Sequence, residues 1–123
     1  MDVNEVSGQI IDAAIKVHRA LGPGLLESAY EACLVYELTK RGLSVRSQVP
    51  LPVRYDEIVI EVGFRIDLLV NEIIIVELKS VDAIAPIHKA QLLSYLKLSD
   101  RKIGLLINFN VGLLKDGITR IAN

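Results

Sequence analysis

At 123 residues, 51% of them hydrophobic and 24% charged, the chain is long enough to bury the core of one domain without covalent staples. A net charge of −1 and a pI near 6.1 exclude the global basic field that drives non-specific nucleic-acid binding, so such a partner would have to be met by local Lys and Arg. No apolar run approaches a membrane span of roughly 20 residues, the lone Cys33 excludes an internal disulfide, and four Tyr, two Phe and no Trp supply base stacking poorly.

The acidic start, Met1-Asp2-Val3-Asn4-Glu5, is unlike a secretory signal and predicts a cytoplasmic protein with no membrane association. Val6, Ile10, Ala13, Val17 and Leu21 then recur at helical spacing until Gly22-Pro23-Gly24 ends the helix. His18 falls with Ile11 and Ile15 on a second apolar patch of that helix, which predicts either a buried helix or a homodimer. A second helix carries Leu26, Ala29, Tyr30, Cys33, Leu34 and Leu38 as its apolar stripe and ends at Lys40-Arg41-Gly42.

From Ser44 to Lys79, β-branched runs broken by Pro50, Pro52, Asp56-Glu57 and Asn71-Glu72 read as two or three antiparallel strands. Pro86 suits the first turn of a third helix running to about Leu98. Lys102 to Phe109 reads as a buried strand, and Ile118 to Ile121 as a short edge strand. The order is α, α, β, β, β, α, β with a final short β, one α/β domain over residues 1–123.

Charged residues on these greasy strands need explaining, because a carboxylate or ammonium withdrawn from water requires a partner or a metal. Alternation along a strand from Glu61 to Val70 places Arg65 and Asp67 on one face, with Phe64, Ile66 and Leu68 on the other. On the next strand Glu77 and Lys79 share a face with Ile73 and Ile75. Two carboxylates on neighbouring strands can hold a hard divalent cation, Mg²⁺ or in its place Mn²⁺, with waters completing the coordination. A two-residue loop at Asn71-Glu72 would pair Asp67 with Val76 and send Glu77 to the opposite face, so a three-residue connection or a bulge is expected. The alternative is a structural ion pair of Asp67, Glu77 and Lys79.

At these residues the chain resembles the PD-(D/E)XK nuclease superfamily, whose core runs α-β-β-β-α-β with Asp on the second strand and (Asp/Glu)-x-Lys on the third. Gly24-Leu25-Leu26-Glu27-Ser28-Ala29-Tyr30 is similar to the signature of the GxxExxY protein family within it. Gln91-Leu92-Leu93-Ser94-Tyr95 is similar to the Gln-x-x-x-Tyr element of RecB-like nucleases. The proline and aspartate usual before the Asp strand are replaced by Arg65-Ile66-Asp67, leaving Asp67 as the one equivalent.

The resemblance implies a restriction-endonuclease-like mixed sheet flanked by helices, with an extra N-terminal helix. It also implies Mg²⁺-dependent hydrolysis of nucleic-acid phosphodiesters, DNA ahead of RNA, by a metal-activated water. Asp67 and Glu77 would be metal ligands, with the Leu78 carbonyl a third donor. Lys79 would orient or deprotonate the water or stabilise the phosphorane, and Glu27 would hold a metal-bound water or a second metal, against a simpler role at the helix N-terminus. Gln91, with His88 and Tyr95 in one polar row, would meet phosphate or steady Lys79, against a half-buried helix face. Tyr30 reads as packing, with its hydroxyl bonded nearby, and Gly24 as permission for a tight turn. The competing functions are a catalytically idle nucleic-acid-binding or interaction subunit, and a structure-specific junction resolvase, which would need a two-fold dimer.

Overall fold

Asp2 caps the first helix, α1 (Val3–Leu21), by accepting the Glu5 N–H at 2.8 Å. The computed structural model describes residues 1–123. Val6, Ile10, Ala13 and Val17 are buried along one face of α1, as their spacing predicts, whereas Leu21 lies at the exposed exit of the helix. Gly24, at φ +100°, turns the chain directly into α2 (Glu27–Lys40). Tyr30 fixes that turn: its fully buried ring stacks on Phe109 at 4.3 Å, and its hydroxyl donates to the Gly22 carbonyl at 2.6 Å and accepts the Leu25 N–H at 3.1 Å. Leu26, expected in the apolar stripe, caps α2 and is exposed, while Tyr30, Leu34 and Leu38 carry the burial.

Five strands form the central sheet in the order β1-β4-β5-β6-β7: β1 (Val45–Pro50), β4 (Arg65–Val70), β5 (Ile74–Lys79), β6 (Ile103–Asn108) and β7 (Ile118–Ala122). β5 and β6 are parallel, joined across α3 (Pro86–Ser99), and the other neighbours are antiparallel. A separate hairpin of β2 (Val53–Tyr55) and β3 (Ile58–Ile60) interrupts the stretch expected to hold two or three strands. The strand expected from Glu61 begins only at Arg65, because Gly63 at φ +83° turns the chain just before it. The sheet therefore contains the α-β-β-β-α-β core, with α1, the β2–β3 hairpin and β7 as additions.

Leu68, Val70, Ile74, Val76, Leu78, Leu105 and Ile107 pack with α1 and α2 on one face of the sheet. Ile66, Leu69, Ile75 and Leu106 pack with Leu92, Tyr95 and Leu96 of α3 on the other. Ile11 and Ile15 are half-buried against the first of these clusters. On that side of α1, the buried His18 donates through Nε2 to the Val111 carbonyl at 2.8 Å, just ahead of a 3₁₀ turn at Leu114–Gly117. The second apolar patch of α1 is thus met by the chain's own C-terminal segment, which removes the reason for expecting another subunit there. No helix is long and apolar enough to cross a membrane.

Candidate active site

β4 and β5 pair Val70 with Ile74, Leu69 with Ile75 and Leu68 with Val76, so the connection is the three residues Asn71-Glu72-Ile73. Continued by one step, that register sets Asp67 opposite Glu77. The ladder stops there, and the carboxylates take over the backbone donors it leaves: Glu77 Oε1 accepts the Asp67 N–H at 3.0 Å, and Asp67 Oδ2 accepts the Leu78 N–H at 2.9 Å. Asp67 is skipped on its other side too, since Ser47 pairs with Leu68 and Val49 with Ile66 while Gln48 pairs with nothing. The disturbance also changes the faces. Regular alternation would put Ile66 and Leu68 together, yet Ile66 packs toward α3 and Leu68 toward α1 and α2.

Glu77 is only 6% exposed. Burial, and after it the negative charge of Asp67, pushes its carboxyl from the ordinary 4.5 up to about 8, against the Asp67 N–H and the Lys79 ammonium, which pull it down. A buried carboxylate beside another is short of positive charge, and one ammonium does not make up the deficit.

On the α2 side, Glu27, Ser28, Glu31, Gln48, Asp67 and Leu78 line a cavity of about 130 Å³. Ser80 Oγ donates to the Leu25 carbonyl at 2.7 Å, holding the start of α2, and so Glu27, near the end of β5. Gln48 Nε2 donates to Glu31 Oε1 at 2.7 Å and lies 3.4 Å from Asp67 Oδ1. Burial raises the Glu31 carboxyl, the Gln48 hydrogen bond opposes this, and the charges of Asp67 and Glu27 add to the rise. Gln48 reaches this position with φ +52° in the middle of a strand.

Neither Glu31 nor Gln48 stood out in the sequence. Glu31 had a usable signal, standing one helical turn beyond Glu27 on the same face.

On the α3 side, Lys79, His88, Gln91, Ser94, Tyr95 and Phe64 line a larger cavity of about 530 Å³. Burial, and after it the charges of Glu77 and Asp67, raises the pKa of the Tyr95 hydroxyl. His88 is committed to the start of α3: its Nδ1 accepts the Ala85 N–H at 3.0 Å, which puts the neutral ring's proton on Nε2. Arg65 is exposed, with Nη1 3.3 Å from the Gln48 carbonyl.

The structure joins Asp67 to Glu77 through each other's strand, sets Glu27 with Asp67 on the α2-side cavity, and sets Lys79, Tyr95, Gln91 and His88 on the α3-side cavity. It does not bring in Tyr30, which is buried against Phe109 and serves the scaffold. Nor does it gather Asp67, Glu77 and Glu27 into one cage, for no three His, Cys, Asp or Glu side chains are arranged to hold a metal ion. The residues still fit a hard divalent cation, because Mg²⁺ is commonly held by one or two carboxylates plus water and substrate oxygens.

A sheet of this order with paired carboxylates and a lysine at one strand end defines a class. The PD-(D/E)XK nuclease superfamily model matches residues 4–121, and the chain belongs to that superfamily. No curated protein and no solved structure matches it.

Proposed function

We propose that the chain is a divalent-cation-dependent nuclease that hydrolyses phosphodiester bonds of nucleic acid at Asp67, Glu77 and Lys79. The observation that carries this reading is the pairing of the buried Glu77 with the half-buried Asp67, a deficit of positive charge that a cation would meet. Asp67 and Glu77 would hold Mg²⁺ or Mn²⁺, with Glu27 and Glu31 lining, from α2, the cavity that Asp67 faces. When bound, the cation supplies positive charge to the phosphoryl oxygen and lowers the pKa of water. Lys79, two residues beyond Glu77 and open to the α3-side cavity, orients the attacking water and meets charge gathering on the phosphoryl oxygens. Gln91 stands in the same cavity and offers its amide to a phosphate oxygen.

The test pairs calorimetric titration of Mg²⁺ and Mn²⁺ with cleavage of single- and double-stranded DNA and RNA by wild type, Asp67→Asn and Lys79→Met. Asp67→Asn is expected to lose both cation binding and cleavage. Lys79→Met should bind the cation as wild type does and cleave about 10²- to 10⁴-fold more slowly. A wild type that binds neither cation, or a Lys79→Met variant that cleaves at the wild-type rate, would overturn the reading.

A further inference from the structure

Phe64 stands out on the α3-side cavity. Its backbone is anchored, since its carbonyl accepts the Leu51 N–H at 2.8 Å, yet 42% of the residue is exposed. Its ring meets Tyr95 at a centroid distance of 6.1 Å and a tilt of 51°, an inclined contact that steadies the ring without covering its whole surface. Tyr95 shares this cavity with Lys79, two residues beyond Glu77 on β5. The cavity thus brings together Lys79, Tyr95 and Phe64, with Gln91 and Ser94 along the helix.

A cation, polar side chains and a partly open aromatic ring within one cavity match the parts of a single nucleotide. Phosphate suits Lys79 and a base suits the Phe64 ring. Ile87 and Leu98 add apolar wall to the cavity, while Lys79, His88, Gln91 and Ser94 bring a charge and hydrogen-bonding groups that a lipid chain or an apolar peptide would leave unpaired. A base inside a duplex already has both faces stacked, so only an unpaired or splayed base can use the ring.

We propose that Phe64 is a stacking platform for an unpaired nucleobase next to the phosphodiester under attack, so that the chain selects single-stranded or frayed nucleic acid. This rests on the nuclease reading above. The composition, poor in aromatics, supplies one well-placed ring rather than a broad platform.

The chain contains no Trp, so Phe64→Trp installs a single fluorescent reporter at the subsite. The probes are a short oligothymidylate, the same backbone with abasic sites, and a blunt duplex, with Ca²⁺ replacing Mg²⁺ to suppress cleavage. Fluorescence of Phe64→Trp should be quenched by oligothymidylate and unaffected by the abasic strand. Phe64→Ala should bind oligothymidylate about 5- to 100-fold more weakly by anisotropy, with binding of the abasic strand and the duplex unchanged. Phe64→Tyr should restore the loss, and matched thermal melts check that each variant is folded.

Equal loss of oligothymidylate and abasic binding in Phe64→Ala, or no loss of either, overturns the stacking platform. If wild type still cleaves, the nuclease reading survives that result. If folded wild type neither binds nor cleaves any probe in Mg²⁺ or Mn²⁺, the nuclease reading falls and the subsite falls with it.

Discussion

Glu72 and Glu77 lie five residues apart on the same β4–β5 unit, at opposite ends, and their carboxyls move in opposite directions. Glu72, with a half-exposed side chain, accepts from Arg46 Nε at 2.7 Å and Nη2 at 2.8 Å and sits 3.5 Å from Arg101 Nη2. The Arg46 hydrogen bonds hold its carboxyl below the ordinary carboxylate range. Glu77 has Asp67 for a neighbour and no arginine, and burial lifts it to about 8. The turn end is neutralised where water could have screened it anyway. The site end sets one carboxyl beside another where water is excluded, so that ionising both is costly, an arrangement that stability alone does not call for.

The contrast is sharpest in the pH dependence of Glu77→Gln. The folded-state value lies above the ordinary 4.5, so the Glu77 contribution to stability is complete below about pH 4.5 and is lost as pH rises toward 8. Glutamine keeps the acceptor for the Asp67 N–H and carries no charge at any pH. Chemical denaturation without divalent cation should therefore find the variant equal to wild type at pH 4 and more stable at pH 9. The gap should grow by about 1.4 kcal/mol per pH unit through the window. Saturating Mg²⁺ should narrow it by stabilising wild type alone. A wild type whose stability is flat from pH 4.5 to 8 would remove the contrast between the two ends.

Gln48→Gly probes strain of a different origin. Asn71 and Glu72 also adopt left-handed backbone, at φ +51° and +57°, but their turn is tied locally: Asn71 exchanges hydrogen bonds with the Ser44 backbone, both at 2.8 Å. Gln48, at φ +52°, is held by two site carboxylates instead. Glycine relieves a left-handed strain of about 1–2 kcal/mol and gives part of it back as chain entropy, so thermal unfolding should show unchanged or slightly higher stability. Cleavage should fall, because Asp67 and Glu31 lose the amide between them. Stability falling in step with activity would instead mark Gln48 as an ordinary strand residue.

Much of this site was legible in advance, because strand side chains alternate with a period of two and the hydrophobic faces leave few registers open. From Asn71-Glu72 it followed that Asp67 and Glu77 could meet only across a three-residue connection or a bulge, and the three-residue connection is present. Helical spacing likewise marked α1 and α2, and Pro86 marked the first turn of α3. Gln48 was not legible, since a left-handed residue other than glycine inside a strand leaves no compositional trace. The β2–β3 hairpin was hidden for the opposite reason: its strands are three residues each, and Tyr55, Ile58 and Ile60 are exposed where the pattern suggests a core. Arg65 and Asp67 were placed on a regular strand, but the break in pleat at Asp67 comes from its side chain replacing a ladder bond, a tertiary event.

Glu72→Gln should have the smallest effect. The Arg46–Glu72 pair is bidentate, which favours it over most surface pairs, but both side chains are 52% exposed. Water already solvates much of each charge, and glutamine still offers one acceptor to Arg46. Arg101 Nε, 3.2 Å from the Glu72 carbonyl, holds the backbone whichever side chain is present. The thermal midpoint at neutral pH should fall slightly, and the difference from wild type should shrink as salt is raised to about 0.5 M, where screening acts over only a few ångströms. Lowering the pH through the carboxylate range should also erase it, because Glu72 is held below its ordinary value and contributes only while ionised. Cation binding and cleavage at the far end of the strands should not change. A loss of cleavage in Glu72→Gln with the fold intact would mean that the turn sets the Asp67–Glu77 register through its charge, and that the two ends of β4 and β5 work as one device.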